Sequence, residues 1–133
     1  MQKRSPHKSS YPSCYDISSA GHVPAGMGYL ENAVKELGEE LGIQVETDKL
    51  IGCGLHRMFA DSEFHGKRFL DRQVAMVYLL WYDVEEDDLL LQKEEVESVK
   101  WFDFDECLDI VKNNTILNCL DMRELEIIGK GIR

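Results

Sequence analysis

From Tyr29 to Leu41 the apolar positions Leu30, Ala33, Val34, Leu37 and Leu41 recur at the spacing of one helix face, and Gly42 stands where a C-terminal cap would fall. Elsewhere the pattern is that of strands. Leu50 to Phe59 and Gln73 to Tyr82 read as strands around the polar, glycine-containing turn Asp61 to Lys67, which together predict a long hairpin. Shorter strands are expected at Tyr15 to Ser18 and Val99 to Phe102, and further helices from about Asp105 to Lys112 and from Leu120 to Ile128. Residues 5 to 14, rich in Ser and Pro, read as an exposed loop, and glycines 21, 26 and 28 as a flexible turn. The acidic stretch Asp83 to Asp88 reads as a solvated connection. No repeat or linker interrupts this order, so the expectation is a mixed α/β fold in layers around one core, a single domain over residues 1–133.

The polar side of the first helix carries the most chemistry. Glu36, Glu39 and Glu40 share one side of it. Two carboxylates about 5 Å apart at an effective dielectric of about 20 repel by roughly 3 kcal/mol when partly desolvated. In full solvent the repulsion shrinks to a few tenths per pair, and the cluster is then an ordinary acidic helix face. If desolvated, it asks for a divalent cation. Oxygen-only ligands suit Mg2+ or Mn2+, and no Cys or His pair near this helix is spaced for zinc. On a helical wheel Glu36 and Glu40 flank the apolar stripe and Glu39 lies further toward solvent. Gly38 costs roughly 1 kcal/mol in a helix interior relative to Ala, and either allows close approach by another backbone segment or is tolerated surface variation.

Length and charge narrow the class. A chain of 133 residues with 44% hydrophobic content has room for one compact core. A formal charge of −10 opposes binding to a nucleic-acid polymer or an anionic membrane, so a small anionic substrate would need local cations. Lys3, Arg4 and Lys8 form one cationic cluster, and Lys67, Arg68 and Arg72 another. Either could ligate phosphate, although solvated surface residues are the commoner explanation. Cys14, Cys53, Cys107 and Cys119 show no CxxC pair or regular disulfide spacing, which fits reduced thiols in a cytoplasmic protein. No run reaches the apolar length of a membrane span, and Met1 to Arg4 leads into polar residues where a signal peptide would turn apolar.

The stretch from Gly21 to Ile43 resembles the Nudix box, a glycine, five residues, Glu, seven residues, then Arg-Glu-hydrophobic-x-Glu-Glu-x-Gly-hydrophobic. Gly21, Glu36, Leu37, Glu39, Glu40, Gly42 and Ile43 match it, and Gln2-Lys3-Arg4-Ser5 and Asp16 to His22 are also similar to that family. Two positions depart: Met27 replaces the first Glu, and Lys35 the Arg. In the family those two side chains commonly form an ion pair, which the joint replacement removes. Lysine keeps the charge without the planar fork of arginine. The resemblance implies an α/β/α sandwich with a mixed sheet, and hydrolysis of a diphosphate joined to another moiety, with water activated beside Mg2+ or Mn2+. By position Glu36 and Glu40 would be principal metal ligands, Glu39 a ligand or proton acceptor, and the Gly21 carbonyl a further ligand. The catalytic candidates are thus Glu36 and Glu39. Arg4, His22, Lys35 and Glu95 are candidates for contact with a small phosphorylated substrate. A later glutamate often completes such sites, and Glu94, Glu95 and Glu97 are placed for it, each with an exposed acidic loop as the alternative. Trp81, Tyr82, Trp101 and Phe102 could stack on a base, although strand aromatics are more often core or cross-strand packing.

Family members usually carry a strand or two before the segment similar to Gln2-Lys3-Arg4-Ser5. The expectation is therefore a sheet lacking its first strand or strands, either truncated or completed by a partner subunit, and the second alternative would make a homodimer. Two rival functions remain. Isopentenyl-diphosphate isomerase shares the fold and resembles Tyr11 to His22, but its catalytic cysteine would fall near Ala20 and its later glutamate near Gln73, neither able to transfer the required protons. A non-catalytic module that binds a nucleotide or a partner is suggested by Met27 and Lys35 and opposed by the retention of all three box glutamates.

Overall fold

The computed structural model describes residues 1–132. Eight regular elements follow in order: β1 (Gln2–Arg4), β2 (Tyr15–Asp16), α1 (Tyr29–Leu41), β3 (Ile51–Phe64), β4 (Lys67–Leu79), β5 (Val96–Val99), α2 (Phe104–Asn113) and α3 (Met122–Ile132). They form two antiparallel sheets, one with strand order β2-β1-β5 and the other the β3-β4 hairpin, accompanied by three helices. This is a mixed α/β fold. The parallel direction is confined to an isolated bridge between Tyr15 and Asn118.

Helix α1 occupies the span that its periodicity predicts. Gly42 ends it in the left-handed region, with φ +70°, and the N–H groups of Gly42 and Ile43 bond the carbonyls of Gly38 and Leu37. Two further carbonyls are also taken, Glu40 O by Gln92 N–H at 3.0 Å and Leu41 O by Leu90 N–H at 3.1 Å. The C-terminal end of α1 is thereby laced to the segment that enters β5. Gly38 admits the Gln44 side chain, whose Nε2 would lie 3.0 Å from an added Cβ, and not a second backbone.

The hairpin is longer, and its turn shorter, than the hydrophobic pattern predicts. Its strands pair without interruption from Leu55↔Met76 to Phe64↔Lys67, so the polar stretch expected to be turn is ladder, and only His65 and Gly66 reverse the chain. Both have positive φ, +53° and +74°, the conformation that two-residue hairpin turns require. His65 is an unusual occupant, and its ring Nε2 lies 3.1 Å from Lys8 O. Phe64 and Phe69 at the tip meet Tyr11 edge-on, at 4.5 and 6.0 Å between ring centroids, and anchor the ribbon on the loop that follows β1. Along β3 exposure alternates, with His56 buried between exposed Leu55 and Arg57.

The core gathers Leu41 and Ile43 with Val77, Val96, Cys107, Ile110 and Leu125, each buried. Helix α3 lies along β3 and β4 and touches α2. Asp103 caps α2 by accepting Asp105 N–H, and Asp121 receives Arg123 N–H at the start of α3. Strand β5 lies three residues earlier than the aromatic stretch suggests. Trp81 and Trp101 are not core residues, being 65% and 59% exposed, and Trp101 donates its ring N–H to Val84 O.

Two glycines of α1 should respond in opposite ways to alanine. At Gly42 the new Cβ would come within 2.7 Å of Leu90 Cβ in a left-handed backbone, a loss on the order of 2–3 kcal/mol. At Gly38 it would meet only the movable end of Gln44 and gain up to about 1 kcal/mol of helix propensity. Urea unfolding of both variants checks the contrast.

Candidate active site

Glu40, in the last turn of α1, is 5% exposed. Gln2 of β1, equally buried, donates Nε2 to its Oε2 at 2.8 Å and to the carbonyl of Ser18 at 3.0 Å. One amide thus ties a strand, the loop before Gly21 and the helix. Glu36 sits one turn earlier with its side chain 15% exposed, against Gly21. A Cβ at Gly21 would fall 2.4 Å from Glu36 Cδ and 2.5 Å from its Oε1, so only glycine leaves room for that carboxylate. Asn32, a further turn back and 3% exposed, donates Nδ2 to Gly21 O at 3.4 Å. The most buried residues of the helix are Asn32, Glu40 and Leu41, two of them polar. Its functional edge faces inward, and its apolar stripe is mostly half-covered.

Burial is the main reason the Glu40 carboxyl is pushed up to about 7, and the Glu36 charge pushes in the same direction. The Gln2 bond and the Ala20 N–H oppose it, because both favour the ionised form. Glu39 stands apart. Its side chain is 48% exposed and lies 3.3 Å from Lys35 Nζ, which also reaches Glu36 at 3.7 Å. Its hydrogen bond to Glu39 is the first cause that raises the Lys35 ammonium above its ordinary value, with the charges of Glu39 and Glu36 also contributing. Lys35, at the position of the expected arginine, therefore bridges glutamates of its own helix.

The other candidates are dispersed. Arg4 donates to Ser10 O at 2.9 and 3.2 Å and to Asp16 at 3.4 Å. His22 is exposed beside Gly21. Glu95 is bonded to Lys8, and Glu97 pairs with Lys3 at 3.1 Å. Arg68 holds Asp61, and Arg72 stacks over Phe59, both within the hairpin. All four cysteines are free thiols. Gln73, at the place of the isomerase glutamate, donates to Asp71.

Among the described residues no three Asp, Glu, His or Cys side chains are gathered as a metal cluster. The donor set is instead two carboxylates, Glu36 and Glu40, with the Gly21 backbone beside them. It fits a hard divalent cation for two reasons: every donor is oxygen, and a nearby positive charge would offset the burial that pushes the Glu40 carboxyl up to about 7. Gln2 and Asn32 escaped the sequence reading as site residues. Gln2 lay in a flagged segment without a role, and Asn32 is one of the unspecified positions of the box. Its only signal was its spacing, one and two turns before Glu36 and Glu40.

Comparisons with known proteins place this architecture. The NUDIX domain profile matches residues 1–118. The chain is 35% identical over 113 residues to an uncharacterized Nudix hydrolase of Clostridium acetobutylicum, covering 85% of this chain and 52% of that protein. It is 38% identical over 109 residues to Nudix hydrolase 3 of Arabidopsis thaliana, covering 80% of this chain and 14% of that one. An uncharacterized Nudix hydrolase of Listeria monocytogenes is 31% identical over 101 residues, 76% of this chain and 53% of its own. A two-sheet α/β domain with paired helix glutamates against a glycine loop is the Nudix class, and the chain belongs to the Nudix family. It spans about half the length of these bacterial relatives. The likenesses support the family and not an isomerase-like subgroup. No helix among the described residues is long and apolar enough to cross a membrane.

A carboxyl that stays protonated in the fold up to about 7, but ionises near 4.5 when unfolded, favours the fold at low pH and loses that contribution as pH rises between the two values. Glu124, pushed up to about 7 by burial and by Asp16 and Asp121, adds the same slope. Metal-free protein should therefore have a lower urea midpoint at about pH 7.5 than at about pH 5, and Glu40→Gln should remove part of the difference while leaving the share of Glu124. An unchanged slope in that variant would contradict the burial of Glu40.

Proposed function

We propose that the chain is a divalent-cation-dependent hydrolase that cleaves the diphosphate linkage of a small phosphorylated compound, a nucleoside diphosphate joined to another moiety. The buried Glu40 carboxylate beside Glu36 and Gly21, on the box of a Nudix chain, carries this reading. Residues 1–133 are read as one such domain, working in the cytoplasm with its thiols reduced.

Glu36, Glu40 and the Gly21 carbonyl would hold Mg2+ or Mn2+. When bound, the ion supplies charge neutralisation of the phosphates and a more acidic water. The rest of the work falls to the chain. Gln2 orients Glu40 and favours its ionised form. Gly21 admits the Glu36 carboxylate to the loop. Glu39, on the wetter side and ion-paired with Lys35, is the proton acceptor best placed for exchange with solvent, with Glu36 the other catalytic candidate. His22 and Lys35 provide polar contacts for phosphate beside the loop and helix. Arg4 and Glu95 already hold Asp16 and Lys8, and would reach substrate by exchanging those partners.

A panel of nucleoside diphosphate derivatives with Mg2+ or Mn2+ should show release of phosphorylated products. Glu40→Gln should lower turnover by roughly a hundredfold or more. Binding without product release across the panel would favour a non-catalytic module, the reading that the Lys35 bridges to Glu36 and Glu39 would then explain.

Gly21→Ala offers a sharper separation of site from fold. The new Cβ meets only the end of the flexible Glu36 side chain, so the unfolding free energy from urea titration should change by less than about 1 kcal/mol while turnover falls at least roughly tenfold. Equal turnover in that variant would remove Glu36 from the site.

A further inference from the structure

On the β3-β4 ribbon exposure alternates in step on both strands. Leu55, Arg57, Phe59, Asp61 and Glu63 lie exposed on one face, opposite Met76, Val74, Arg72, Leu70 and Arg68, all but Met76 exposed as well. A solvated strand face is ordinarily polar. Yet Leu55, Phe59, Leu70 and Val74 are 56%, 61%, 57% and 43% exposed. The register sets them on successive diagonals, Leu55 to Val74 to Phe59 to Leu70, so they form one continuous stripe and not scattered single residues. The charges of the same face are sorted by position. Arg57 lies toward the base of the ribbon and Glu63 toward its tip, on either side of the Ala60↔Asp71 pair. Arg68 is held by Asp61 at 3.0 Å and Arg72 stacks over Phe59 at 5.2 Å, whereas Arg57 and Glu63 have no ion-pair partner among the described residues.

We propose that this face is a contact between two copies of the chain, stacked ribbon on ribbon about a two-fold axis at the Ala60↔Asp71 pair, with Arg57 of each copy facing Glu63 of the other. The sorting of charge fixes the symmetry. A two-fold that reverses the strand direction carries the position before Ala60 that Arg57 holds onto the equally spaced position after it, which Glu63 holds. Stacked sheets lie about 10 Å apart, within the combined reach of an arginine and a glutamate side chain. A shallow depression of about 430 Å³, lined by Phe59, Asp61, Arg68, Leu70 and Arg72, surrounds the axis and would receive the Phe59 ring of the second copy. Two chains of formal charge −10 repel at longer range, so self-contact needs such local pairing, and the same charge opposes an anionic membrane or a nucleic acid as the occupant. The ribbon from Leu55 to Glu63 is about 30 Å long, and covering this face on both copies removes on the order of 1,000 Å² from water, the lower bound of a specific interface. The dimer is therefore weak and reversible. It uses the face of the ribbon and not a sheet edge, which separates it from the strand completion that the sequence suggests, and it does not depend on the hydrolase reading.

The test is sedimentation velocity of the full chain up to about 0.5 mM, in wild type, Phe59→Glu, Arg57→Glu, Glu63→Arg and the double variant Arg57→Glu with Glu63→Arg. Wild type should associate reversibly with a dissociation constant in the micromolar range. Phe59→Glu and each single charge reversal should weaken association at least roughly tenfold. The double variant again sets opposite charges across the axis, and its association should return to within about threefold of wild type. Arg57 and Glu63 are about 20 Å apart along one strand, so a rescue of this kind arises only between copies and not from repaired folding. A wild type that stays monomeric over the whole range, wild-type association in Phe59→Glu, or a double variant as weak as the single ones would each overturn the proposal.

Discussion

Burying the carboxylate of Glu40 puts a charged group where the first sheet, the loop before Gly21 and helix α1 converge, and the arrangement of all three answers that desolvation. Gln2 reaches across from β1 to bond it and at the same time holds Ser18 O in the loop. The backbone carbonyl of Glu40 accepts Gln92 N–H, on the way to β5, which itself pairs with β1. Sheet, loop and helix therefore close a circuit of hydrogen bonds around one side chain. Truncating any member leaves a buried polar group without its partner, which costs more than the bond contributes when made.

That circuit also explains how two like charges tolerate proximity. Burial and the Glu36 charge raise the affinity of Glu40 for a proton, and Gln2 and the Ala20 N–H lower it. Lys35 neutralises the outer edge of the cluster from the solvent side, where an ion pair is worth little in stability. The inner Glu40 thus holds its proton more firmly than an ordinary carboxyl, and the outer Glu39 is screened by lysine. Met27 donates its backbone N–H to Pro24 O within the loop. Asn32 to Gly21 O joins helix to loop directly, and Gln2, bonded to both Ser18 O and Glu40, joins them through strand β1.

Much of this was legible in the residues. Helix α1 and its glycine cap follow from a clean 3.6-residue period, and the wheel separates the better-buried pair Glu36 and Glu40 from the exposed Glu39. The hairpin was legible only in outline. A two-stranded ribbon has one face open to water along its length, so Asp61, Ser62, Glu63 and Arg68 pair in register although their polarity suggests a loop. His65 hides the turn, since the usual Asn-Gly or Asp-Gly signal is absent. Trp81 and Trp101 read as packed strand aromatics, and both lie outside the strands and are exposed.

What the sequence determined by itself is the local and the periodic: the helix, its cap, and a row of acids on one side of it, because spacing along a helix fixes which side chains are neighbours. What only the tertiary structure decided is which of those neighbours are desolvated and what they meet. Lys8 claims Glu95, and Ser10 and Asp16 claim Arg4. Gln2, remote by 38 positions, becomes the partner of Glu40. Desolvation and long-range hydrogen bonding depend on elements brought together from distant parts of the chain, and no pattern within one element encodes them.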